Sequence, residues 1–142
     1  MFETNIGTAH LRAGRFAEAR DPLRRAMALH RSLGNEGMVS FSVSALGVVR
    51  HALGDPERAV AFHRRALRIA NAVGYPSRRA TILACLAAAQ HAQGDVANSL
   101  RTWEEARALF DALPEAHFVG LRPLFKALGY APPASAWRVG GV

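Results

Sequence analysis

Few side chains in this sequence have the type and spacing that chemistry needs. Cys85 is the only cysteine, and His51 and His91 stand forty residues apart among six histidines. A cysteine held as thiolate by a neighbouring cation is a nucleophile, and two imidazoles at matching positions of stacked helices could share a metal ion. Cys85, however, sits among Ala84, Leu86, Ala87 and Ala88, where a small packing residue is expected rather than a nucleophile. His51 and His91 have no third His, Cys or carboxylate in the same register, so a polar groove surface is the expected role and a metal is not. The sequence carries no phosphate-cradling Gly-rich loop, no Gly-x-Ser-x-Gly elbow and no His-Glu-x-x-His pair. A protein with no catalytic residue and no cofactor or metal is expected.

The remaining chemistry is charge. Seventeen arginines and one lysine against eleven acids give a net charge of +7, which raises the question of a nucleic-acid partner. Where the arginines sit decides it, and that depends on the elements that carry them. The 142 residues suffice for one compact domain. With 50% hydrophobic and 20% charged residues the chain is not disordered as a whole. Twenty-eight alanines, with Val, Ile, Thr and Tyr sparse, are the usage of closely packed helices rather than of a sheet. One cysteine excludes an internal disulfide and fits a reducing compartment. Met1 to Asn5 shows neither the basic start nor the apolar stretch of a signal peptide, and no window reaches the ~20 apolar residues of a spanning helix. A cytoplasmic location without membrane contact is expected.

Glycines at 14, 54 and 94 set an internal period of 40. Sliding 5–34 onto 45–74 matches seven positions, Arg24/Arg64, Arg25/Arg65 and Ala26/Ala66 among them, and sliding 45–74 onto 85–114 matches seven more, including His51/His91, Gly54/Gly94 and Asp55/Asp95. Apolar residues recur at steps of three and four on both sides of each glycine, so every unit is a helical hairpin. Asp55 and Asp95 are placed to cap the second helices, and Pro56 takes a first helical position where a missing N–H costs nothing. The first unit has Arg15 in place of the cap, and Pro22 falls inside its helix, so it should be the least regular hairpin. The spacing predicts helices over about 3–13, 16–33, 36–53, 56–73, 77–93 and 96–112. The repeats then span about 1–34, 35–74 and 75–114. Phe118, Leu121, Leu124, Phe125 and Leu128 form an amphipathic helix over 115–128 that should cap the stack, and 129–142, with two prolines and three glycines, is expected to be a loose tail whose Trp137 could still dock on the last helix. The first helix starts at the initiator with no cap before it, as in a piece of a longer chain.

Each unit orders a small residue, Gly-Asp or Gly-Arg seven residues on, Ala five further and Ala again seven further. Ile6-Gly7, Gly14, Ala19 and Ala26 show this order, as do Leu46-Gly47, Gly54, Ala59 and Ala66. Leu86-Ala87, Gly94, Ser99 and Ala106 show it less closely. The pattern resembles the tetratricopeptide repeat, in a variant with longer helices, because the common period is 34 residues. The HEAT repeat shares the period but lacks a Gly-Asp turn with alanines so spaced. Repeats of this length resemble those at the C-terminal end of large actinomycete transcription regulators, and the Arg-over-Lys, Ala-rich usage is similar to that of a high-GC bacterial genome.

The resemblance implies an all-α fold, a right-handed α-solenoid of three hairpins plus a C-terminal capping helix, acting as a non-catalytic protein-interaction scaffold. First helices would line its concave face, through Thr4, Thr8, Leu11, Phe41, Ser44, Val48, His51, Ala84, Ala88 and His91. Chaperone-binding members hold a terminal carboxylate with Lys, Arg and Asn on that face. Here the corresponding places are Thr4, Thr8, Ala45, Ala84 and Ala88, so the clamp is absent and an apolar or helical partner segment is expected. Arg20, Arg24, Arg25, Arg31, Arg58, Arg64, Arg65 and Arg68 would fall on second helices, at the convex surface, without the aromatics that stack bases. That placement favours a solvated basic face or an acidic neighbouring domain over nucleic acid. A domain sensing a small ligand or signalling peptide is the first alternative, and a basic scaffold touching nucleic acid the second.

Overall fold

The computed structural model describes residues 7, 9–11, 13–74, 76–114 and 121–133. Gly7 and residues 9–11 are helical, and six helices follow: α1 (Phe16–Ser32), α2 (Glu36–Ala52), α3 (Pro56–Val73), α4 (Pro76–Ala92), α5 (Val96–Asp111) and α6 (Arg122–Leu128). Each of α1 to α4 packs against the next helix, and α2 also touches α4, so successive hairpins stack, chiefly second helix on the following first helix, into an all-α solenoid. The described residues contain no strand.

The turns are set by local chemistry. Gly54 ends α2 with φ +91°, a conformation that side chains with a Cβ rarely adopt. It lets the Asp55 amide donate to the Arg50 carbonyl at 2.9 Å and the Gly54 amide to His51 at 3.1 Å, which satisfies carbonyls the helix end leaves open. The same pair of bonds closes the turns at Gly14 and Gly94. The Asp55 carboxylate then accepts from the Arg58 amide at 3.2 Å and that of Asp95 from Asn98 at 3.4 Å, capping α3 and α5. Arg15 gives α1 no side-chain cap, yet α1 continues unbroken through the buried Pro22.

Second helices bury one stripe each: Ala19, Leu23 and Ala26; Ala59, His63, Ala66 and Ala70; Ser99, Trp103, Ala106 and Phe110. First helices are buried nearly all round, with 42–49 of α2 and 82–90 of α4 forming continuous buried runs. They lie in the middle of the stack, and small residues let them approach. A Cβ on Gly7 would meet Leu23 Cδ2 at 2.7 Å. In the same hairpin contacts, Ser40 donates to the Ala66 carbonyl at 3.3 Å and Ser99 to that of Ala87 at 2.7 Å.

The C-terminal segment docks on the third hairpin. Phe125 and Tyr130 join Ala80, Leu83, Ala84, Ala88, Trp103 and Phe110 in one apolar cluster, while Leu124 and Leu128 pack against the neighbouring cluster of Leu11, Ala45, Val48 and Cys85. Tyr130 and Pro132, at the start of the segment expected to be loose, are buried. The part of the expected capping helix at 115–120, and the tail from 134 on with Trp137, lie outside the described residues.

Candidate functional site

The ten residues expected on the concave face divide into groups. Thr4 and Thr8 lie outside the described residues. Leu11, Ser44, Val48, Ala84 and Ala88 are buried, Phe41 and His51 are half-buried, and His91 is exposed.

Ser44 faces its own hairpin, because its hydroxyl meets Nδ1 of the buried His63 at 3.0 Å. Val48 belongs to the cluster on which Leu124 and Leu128 pack, and Ala84 and Ala88 to the one that holds Phe125 and Tyr130. His91 stands edge-on to Tyr130, with ring centroids 5.6 Å apart. The first-helix surface of the third hairpin is therefore covered by the C-terminal segment of the same chain. Phe41, half-buried on α2, is covered on one side by the Arg78 guanidinium, 5.7 Å from the ring centroid. Arg78 is held there by donating to the Gly37 carbonyl and lies 3.7 Å from Met38 Sδ. The cation fixes the ring by its attraction to the π face and leaves a cation beside an apolar surface. Sequence reasoning missed Arg78. Its signal, a cation one period beyond Met38, is visible only once α2 and α4 are seen to touch.

Two buried groups, His63 and Cys85, are held uncharged. His63 is pushed down to about 3 by burial, with a smaller contribution from His51, which burial also lowers. Burial pushes the Cys85 thiol up to about 12, so it is a protonated packing residue and not a nucleophile. Among the described residues no three His, Cys, Asp or Glu side chains come together as a metal site.

The eight arginines assigned to second helices are all exposed. Arg58 lies 3.4 Å from Asp55 and Arg20 3.7 Å from Asp21, exposed pairs worth ~0–1 kcal/mol each. On the third hairpin Arg107 meets both Glu104, at 2.7 Å, and Asp111, at 3.2 Å. The positive charge is thus concentrated on α1 and α3. No helix among the described residues is long and apolar enough to cross a membrane.

The sequence model of a family described as Tetratricopeptide repeat matches residues 1–72 of the 142. No curated protein matches the chain.

Proposed function

Because the chain belongs to the tetratricopeptide repeat family, whose repeats generally serve as scaffolds for protein partners, we propose that it is a non-catalytic interaction module. It binds an apolar or helical partner segment on the face formed by its first helices. The observation that carries this reading is Phe41: a half-buried aromatic ring at a first-helix surface, backed by Arg78 at 5.7 Å. An aromatic side chain oriented by a cation is the kind of residue that supplies most of an interface's energy. Ala45, Ala84 and Ala88 stand where the family's carboxylate-binding members carry polar and cationic side chains, and all three are buried, so a partner meets no carboxylate clamp there and is recognised by apolar contact around Phe41.

The module's setting is a regulatory, cytoplasmic bacterial protein, similar to the C-terminal repeat regions of large actinomycete regulators. The 40-residue period and the arginine-rich composition support that setting. The test is partner capture with the wild-type chain, Phe41→Ala and Arg64→Ala side by side, each checked by a thermal melt. Loss of the partner in Phe41→Ala alone, with its melting temperature kept, is the expected result. Capture by Phe41→Ala at wild-type yield would refute the site.

A further inference from the structure

The third hairpin already holds an apolar helix, and that helix is the chain's own. Phe125 stands edge-on to Trp103 at 6.1 Å and to Tyr130 at 5.6 Å, and Tyr130 reaches Trp103 at 6.2 Å. Beneath them lie Ala84 and Ala88, small enough to leave room for rings. Leu121 flanks this cluster, while Leu124 and Leu128 pack on the adjoining one. The seated element thus presents apolar side chains at steps of three, one and three from Leu121 to Leu128, one face of a helix.

The occupant has little order of its own. α6 has seven residues, Leu121 supplies no side-chain cap, and Pro123 opens its first turn. Helices so short do not persist in water alone, so the surface orders this one. The receptor side is built of α4 and α5, of 17 and 16 residues, locked to each other by Ser99 bonding the Ala87 carbonyl at 2.7 Å, and of the adjoining cluster to which α2 contributes Ala45 and Val48.

We propose that this surface is a receptor for an amphipathic partner helix with apolar residues spaced as in Leu121, Leu124, Phe125 and Leu128, and that residues 121–133 are its resident, exchangeable occupant. The proposal rests on the reading of the first-helix face as the binding face and names the partner's chemistry there. The chain's own segment competes as a tethered ligand at an effective concentration of about millimolar, so an added helix binds well only when the tethered one is weakened.

Two measurements on the full-length chain test this. In native-state hydrogen exchange of the wild type, amides of Phe125, Gly129 and Tyr130, which are bonded within the segment, should exchange at least ~100-fold faster than those of Leu83 to Ala88 after correction for intrinsic rates. Equal protection would mean that the segment leaves only when the whole chain unfolds, and would overturn the proposal. A labelled peptide with the sequence of residues 121–133, compared with a scrambled control, should bind Phe125→Asp at least ~10-fold more tightly than wild type. A folded Phe125→Asp that binds it no better would overturn the proposal, as would a concentration-dependent dimer that retains the segment's protection, since the occupant would then be a second copy. Neither measurement involves Phe41, so failure here leaves the Phe41 experiment to judge the broader reading on its own.

Discussion

Gly47 lies under the imidazole of His63: a Cβ on Gly47 would sit 2.8 Å from His63 Cε1 and 3.1 Å from both ring nitrogens. The first hairpin has the same arrangement with Gly7 and Leu23, and the repeat carries it to Ala87 and Trp103 in the third, sixteen residues apart each time. The fold tolerates three different large residues on the second helix because it keeps a small one opposite. Gly47→Leu should therefore cost at least ~2 kcal/mol, even though leucine is the better helix former by ~1 kcal/mol. Ala61→Leu, on the exposed side of α3, should cost under ~1 kcal/mol. Urea melts of the two variants check this, and equal losses would refute the packing.

His63 makes stability depend on pH. Its folded value, about 3, lies below the ordinary 6.5. Below pH 6.5 the unfolded chain binds a proton that the native state refuses. The contribution is thus complete above pH 6.5 and is lost as pH falls toward 3, at ~1.4 kcal/mol per unit. His63→Leu, which copies Leu23 of the first hairpin, should flatten that slope between pH 6.5 and 4.5. It should also cost ~1–3 kcal/mol at pH 7, because the Ser44 hydroxyl loses its partner. An unchanged slope in urea melts across this range would contradict the buried neutral imidazole.

Cys85, buried and with its thiol pushed up to about 12, should react with a thiol reagent only as fast as the chain opens. Native protein should be labelled at least ~100-fold more slowly than protein in urea. Comparable rates would place the thiol at the surface.

Much of the fold is legible in local chemistry. Gly14, Gly54 and Gly94 mark the turns, Asp55 and Asp95 mark helix starts, and the expected bounds of the fully described helices α1 to α5 lie within one residue of those observed. The site was less legible for a physical reason. An alanine at 84 or 88 shows by periodicity which stripe it occupies but not what covers that stripe, since the covering residues, Phe125 and Tyr130, lie some forty positions away and outside the repeat. The stripe of Leu121, Leu124, Phe125 and Leu128 was visible, but not its dual packing. Ser44 shares a helical stripe with Phe41 and His51, yet its hydroxyl turns inward to His63, a tertiary contact that spacing alone does not encode.

A chain ending at residue 114 should still fold but melt several degrees lower, because Trp103, fully buried against Phe125 and Tyr130, would lose both rings. Its tryptophan emission, from Trp103 alone, should shift to the red. The same melting temperature as the full chain would mean that the docked segment contributes nothing.

The exposed arginines of α1 and α3 should bind random duplex DNA weakly, with dissociation constants of about 10⁻⁴–10⁻⁶ M at physiological salt and a steep loss as salt rises. Titrations at two salt concentrations check this. A nanomolar complex at physiological salt would move the functional surface from the first helices to the second.

The proposed partner meets the first helices. The most direct measurement places a photo-cross-linking phenylalanine analogue at position 41 of the full chain, and separately at position 61 on the exposed side of α3. After irradiation in cell extract, the proposed function predicts one dominant cross-linked protein at position 41, competed away by excess unlabelled wild type but not by Phe41→Ala, and none at position 61. Cross-linking to the same protein at position 61 and not at 41 would contradict it.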